Sequence, residues 1–177
     1  MMRALCRAAV LLALALPPAA AMAAPDTAYN RGVAAFVAKD YEAARKHWAQ
    51  AVEENETSAF NNLGYLYYMG WGGKADLARA VSLWRTAAER GHAESQAHLG
   101  AIYEQGEGVP RDLVQAYAWY RSSLANSDAP EDDDDRKALD MTRRALIRLL
   151  GTIPIEQLGE SEKLAREFIR AYTPRPR

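Results

Sequence analysis

From residue 26 onward the apolar positions fall at helical spacing. Leu63 and Tyr67 lie one turn apart, and Ala80, Trp84, Ala87 and Ala88 follow at i, i+4, i+7 and i+8, whereas no stretch alternates with the period of two that a half-buried strand needs. The predicted elements are therefore helices, and turn chemistry divides them into pairs. Gly70 and Gly106 suit the left-handed conformation that ends a helix. Asp40, Asp76 and Asp112 can cap the helix that follows by accepting from its free amides. Asp112 with Gln115 also reads as a variant capping box, and Asn55 and Gly91 stand at equivalent ends of second helices, both tolerating positive φ.

The pairs repeat. Leu63, Gly64, Tyr67, Gly70, Gly72, Asp76, Leu77 and Ala80 return 36 residues later as Leu99, Gly100, Tyr103, Gly106, Gly108, Asp112, Leu113 and Ala116. A shorter unit precedes them. Gly32 leads Gly64 by 32 residues, while Asp40, Ala44, Trp48 and Asn55 lead Asp76, Ala80, Trp84 and Gly91 by 36, so the missing residues fall in the loop between the two helices. Three units result, at about residues 26–55, 56–91 and 92–127, within an array over 24–127. A period of this length marks a solenoid, in which each unit buries its apolar face by stacking on its neighbours. Glycine inside a helix costs roughly 1 kcal/mol against alanine. Gly32, Gly64 and Gly100 at one repeat position therefore predict a close helix approach, with Ala44, Ala80 and Ala116 as the expected opposing surface.

Residues 128–173 break the period. After the acidic stretch Asp128–Asp135, the positions Ala138, Leu139, Leu146, Leu149 and Leu150 predict a helix ending at Gly151, and Pro154 opens another containing Leu158, Ser161, Ala165, Phe168 and Tyr172. These two helices are expected to cap the array, about eight helices in all, and residues 174–177 to form a disordered tail. At the other end, a basic start, the apolar run Ala8–Leu16 and the Ala21-Met22-Ala23 motif predict a cleavable signal peptide over 1–23, too short in its apolar core for a retained membrane anchor. The expectation is a periplasmic or secreted protein with no membrane insertion after cleavage.

Charge and chemistry then narrow the function. Removing a leader that carries Arg3 and Arg7 turns 22 basic against 23 acidic residues into 20 against 23, a balance that disfavours nucleic acid, whose phosphates need a basic stripe. Cys6 is the only cysteine and lies in the leader, leaving neither disulfide nor thiol nucleophile. His47, His92 and His98 have no metal-ligand spacing, and Asp132–Asp135 lacks the glycine and distal glutamate of a calcium loop. No nucleophile elbow or dinucleotide fingerprint occurs, and Gly70-Trp71-Gly72-Gly73, recurring as Gly106-Glu107-Gly108, is turn geometry in which Glu107 would repel phosphate. No cofactor, metal or catalytic residue is expected. One feature exceeds the needs of the repeat: Phe60, Tyr65, Tyr67, Tyr68 and Trp71 cluster on a single unit. Tyr67 and Phe60 suit the core. Tyr65, Tyr68 and Trp71 either form an exposed contact surface or cover the adjoining first unit.

The segments Leu63-Gly64-Tyr65-Leu66-Tyr67 with Gly70-Trp71-Gly72, and Leu99-Gly100-Ala101-Ile102-Tyr103 with Gly106-Glu107-Gly108-Val109, Asp112 and Ala116–Tyr120, resemble the Sel1-like branch of the tetratricopeptide-type repeats over roughly residues 26–127. Gly73-Lys74 and Ser122-Ser123 depart from the family pattern. The resemblance implies an all-α fold, a right-handed α-solenoid of antiparallel helix pairs whose concave side binds proteins or peptides. If first helices line that side, as in the family, Asn30, Asn62, Tyr65, Tyr68, His98 and Glu104 are groove residues, with Trp71 beside them. The expected function is an exported, non-enzymatic and monomeric adaptor holding a protein or peptide partner. The alternatives are an envelope-acting hydrolase of peptidoglycan or β-lactam type, suggested by exported relatives, and a self-associating structural protein.

Overall fold

A computed structural model describes residues 25–127 and 133–174. The predicted leader, Asp128 to Asp132 and the last three residues of the predicted tail lie outside the described residues. Eight helices are present among those described: α1 (Ala28–Val37), α2 (Tyr41–Glu53), α3 (Thr57–Met69), α4 (Leu77–Glu89), α5 (Ala93–Gln105), α6 (Leu113–Asn126), α7 (Asp133–Leu150) and α8 (Ile155–Tyr172).

The helix ends follow the predicted chemistry. Asp40, Asp76 and Asp112 accept from the amides of Ala43, Arg79 and Gln115, each at 3.0 Å. Gly70 and Gly106 close α3 and α5 in the left-handed conformation, at φ 69° and 73°. His92 supplies a cap that its residue type does not advertise, Nδ1 accepting from the Ser95 amide at 3.3 Å to start α5. Lys39, at φ 61°, makes the tight turn of the shortened first loop.

α1 pairs with α2, α3 with α4 and α5 with α6, and each pair stacks on the next through its second helix. The close approach at the repeated glycines is present, but its opposing surface is a ring rather than an alanine. A Cβ on Gly64 would lie 2.8 Å from Trp84 Nε1, and one on Gly100 would lie 2.6 Å from Tyr120 Cδ1; at Gly32 the obstacle is Trp48. Each indole is also tied to the helix it presses on, Trp48 donating to the Tyr29 carbonyl at 3.3 Å and Trp84 to the Asn61 carbonyl at 3.2 Å. Ala44, Ala80 and Ala116 are buried without facing the glycines as the nearest atoms.

α7 packs on α6 and α5, whereas α8 packs along α6 and reaches α4. Unlike the three earlier pairs, α7 and α8 do not pack along one another. Tyr117 and Arg121 of α6 bond Glu162 of α8, Phe168 and Tyr172 cover Trp119 at ring distances of 4.4 and 5.6 Å, and Asn126 at the end of α6 donates to the Tyr172 carbonyl at the end of α8, so α8 runs parallel to α6. A core of Ala145, Leu149, Ile153 and Ala165 joins both helices to α6.

Candidate functional site

The first helices α3 and α5 face each other across a cleft of about 90 Å³ at the junction of the second and third units. Tyr65 and Tyr68 of α3 form one wall, and His98, Ala101, Ile102 and Gln105 of α5 form the other. Trp84 of α4 makes the floor, and Glu107, in the turn after α5, stands at one end. The floor is rigid for a stated reason: the indole is buried, its N–H is bonded to Asn61, and His98 stacks on it at 4.4 Å and 26°. Tyr68 packs 5.5 Å from the same indole and donates its hydroxyl to Glu107 Oε2 at 3.1 Å. Burial first, and then the Glu107 carboxylate, push the Tyr68 phenol up from its ordinary value.

The sequence-predicted residues separate into three groups. Tyr65, Tyr68 and His98 meet in this cleft. Asn62 and Asn30 lie toward the first unit, Asn62 donating to the Tyr29 hydroxyl at 3.4 Å and Asn30 to the Pro25 carbonyl at 2.7 Å. Trp71 covers the first unit: it stacks on Tyr41 at 4.7 Å, lies 6.1 Å from Phe36 and meets Tyr65 edge-on. Glu104 is engaged within the chain. Its carboxylate accepts from the Tyr120 hydroxyl at 2.8 Å and from Arg148 of α7 at 3.0 and 2.9 Å. Burial, reinforced by that carboxylate, raises the Tyr120 pKa.

Behind the cleft wall a polar chain crosses from α3 to α5. Ser95 donates to Asn61 Oδ1 and Asn61 to Glu94 Oε2, both at 2.8 Å, and Glu94 Oε1 lies 3.7 Å from His98 Nε2. The nearby His98 imidazole, and then the Asn61 hydrogen bond, hold the Glu94 carboxyl below its usual range, and burial lowers the His92 pKa. Ser95 is fully buried, so this chain positions α5 and offers no accessible nucleophile. Among the described residues no group of histidine, cysteine and carboxylate side chains is placed to hold a metal, and no helix is long and apolar enough to cross a membrane.

Trp84, Ala101, Ile102, Gln105 and Glu107 belong to the cleft but not to the groove expected from sequence. Their signal lies in positions where consecutive units differ, and reading Glu107 only as part of a turn hides it.

The chain matches the Sel1 repeat over residues 17–56, 58–92 and 93–128, the first match beginning inside the segment expected as leader. Its fold is similar to that of a protective antigen present in uropathogenic Escherichia coli strains and displaying an SLR fold, with a TM-score of 0.65 and 29% identity over 83% of this chain and 30% of that one. It is also similar to a Sel1 repeat protein from Oxalobacter formigenes, with a TM-score of 0.56 and 26% identity over 79% of this chain and 55% of that one. This chain thus spans less than two thirds of either solved protein. No curated protein matches it. Three consecutive matched units, built as stacked helix pairs with the same caps and the same glycine-to-ring approach, establish that the chain belongs to the Sel1 repeat family.

Proposed function

We propose that this chain is an exported, monomeric, non-enzymatic scaffold that holds a segment of a partner protein against the face made by its first helices. Sel1 repeats generally mediate protein interactions, and the family is generally a scaffold rather than an enzyme. The observation that carries the reading is the cleft between α3 and α5, where Tyr65, Tyr68 and His98 converge over a rigid indole floor. Stiff amphipathic rings around a recess give contact area at low entropic cost, the composition of an interface hot spot. Export is supported by the basic start, apolar run and small-residue motif of residues 1–23.

The test is in-cell crosslinking from a photoreactive residue at Tyr65, with the buried Leu149 as control, in a strain where the exported form is verified. One recurrent protein captured from position 65 alone is expected. Its absence from a folded, exported chain overturns the scaffold reading.

A further inference from the structure

The two junctions between units use equivalent positions, and two of the departures between them replace a large ring by a smaller or charged side chain. At the first junction Trp71 fills the space beside Phe36, Tyr41 and Tyr65. One period of 36 residues later, Tyr65 is replaced by Ala101 and Trp71 by Glu107, while Trp84 keeps the place of Trp48. The backbone does not differ correspondingly, because Gly70 and Gly106 close their helices with nearly the same left-handed φ, 69° and 73°. Glu107 therefore departs from the same point in the turn as Trp71. The rings of Tyr65 and Trp71 have no counterpart at 101 and 107, while Tyr65 and His98 stand where the first junction has Val33 and Asn62, and the cleft of about 90 Å³ lies between these walls and Glu107.

The replacement also changes the electrostatics. No lysine or arginine lines the cleft, and its one charged group is Glu107, which takes a hydrogen bond from Tyr68 and has no ion-pair partner among the described residues. Aromatic faces beside a single half-buried carboxylate select a cation that is itself flat and weakly hydrated, which favours guanidinium over ammonium. The chain already uses this pairing internally, with Arg45 4.0 Å over the Tyr67 ring and Arg90 4.5 Å over the Phe60 ring.

We propose that the cleft between α3 and α5 receives an arginine side chain of the partner protein, its guanidinium stacked among Tyr65, Tyr68 and His98 and bonded to Glu107, in the place that Trp71 fills one unit earlier. This rests on the scaffold reading and names the anchor the partner must present. Lysine would lose the planar stacking and the forked hydrogen bonds.

The probe is a blocked Gly-Arg-Gly tripeptide, titrated into the full chain and followed by NMR, with the lysine and citrulline tripeptides beside it. Citrulline keeps the planar shape without the charge. The arginine peptide is expected to shift resonances of Tyr65, Tyr68, His98 and Ala101, and citrulline to bind about tenfold more weakly or worse. Glu107→Gln should reduce arginine affinity about tenfold. Glu107→Trp, which copies the first junction and so keeps a folded array, should abolish the shifts with an unchanged or raised Tm. Equal binding of citrulline, undiminished binding by Glu107→Trp, or no shift at about 10 mM arginine peptide overturns the proposal. A protein captured from position 65 whose affinity is indifferent to Glu107→Gln leaves the scaffold standing and removes the arginine anchor. Arginine-peptide binding without any captured protein does the reverse.

Discussion

Replacing Gly64 by alanine sets two effects of opposite sign against each other. Alanine in a helix interior gains roughly 1 kcal/mol over glycine. The new Cβ, however, would lie 2.8 Å from Trp84 Nε1 and 2.9 Å from Cδ1, against an unstrained separation of about 3.5–4.0 Å. Trp84 has little room to yield, since it is 2% exposed, stacked under His98 and bonded to the Asn61 carbonyl at 3.2 Å. Forcing a methyl group into such packing costs about 1–3 kcal/mol, and stretching the indole bond adds about 1 kcal/mol. The net expectation is a destabilisation of about 1–3 kcal/mol. Gly159→Ala is the internal control: it lies exposed inside α8 with nothing within 4 Å of a Cβ, so only the propensity gain of about 0.5–1 kcal/mol remains. Urea unfolding followed by far-UV circular dichroism should move the two midpoints in opposite directions with unchanged slopes. Equal stabilisation by both substitutions would refute the glycine-to-ring account of the repeat.

The further outcomes follow from three sets of contacts. Glu104→Ala leaves the Tyr120 hydroxyl without its acceptor and should cost about 1–3 kcal/mol, whereas Arg148→Ala removes only the exposed half of the pair and should cost less than about 1 kcal/mol in the same urea assay. Because the Tyr120 pKa is raised on folding, its contribution is complete below the unfolded value of about 10 and is lost as pH rises beyond it; ultraviolet titration should find a late-ionising set of tyrosines, Tyr120 with Tyr68 and Tyr117, that loses one member in Tyr120→Phe. His92 has the opposite dependence: its pKa is lowered by burial and its Nδ1 must stay unprotonated to accept from Ser95, so its share of stability is present above about pH 6.5 and lost as pH falls through the folded value. His92→Asn keeps a capping acceptor that does not titrate and should flatten the stability slope below about pH 6.5, a result that an unchanged slope would contradict. Trp71→Ala should destabilise by about 2 kcal/mol, as a half-buried ring is lost from Phe36 and Tyr41, with faster amide exchange concentrated in α1 and α2.

The legible part of this molecule is the part each unit solves in the same way. A carboxylate that caps, a glycine that ends a helix and a glycine that admits a close neighbour each answer a local requirement, so they return at 36 residues and identify themselves. The period marks a position as constrained without saying which atoms constrain it. Gly64 was thus readable as a close approach, while its partner could be named only once the Trp84 ring was placed against it. α7 and α8 were readable as amphipathic helices, but with no equivalent units to compare, nothing in their spacing told that α8 would lie parallel to α6 and cover Trp119.

The site obeys the reverse rule. Tyr65 and Tyr68 stood out because they exceeded what the repeat needs, and Trp71, equally conspicuous, turned out to serve the first unit. Glu107 was inconspicuous because it sits in a turn whose glycines recur faithfully. Yet a recess in a stacked array can arise where one junction lacks a group that its neighbour has, since the turns after α3 and α5 close with nearly the same geometry and leave the difference to the side chains. Ala101 in the place of Tyr65 and Glu107 in the place of Trp71 are such losses, and both border the same cleft. In a repeat protein, then, the identities between units specify the scaffold, and paired departures from them at a shared junction are where to look for what the scaffold holds. Glu107→Trp asks that question directly, because it restores the repeat and should remove the binding.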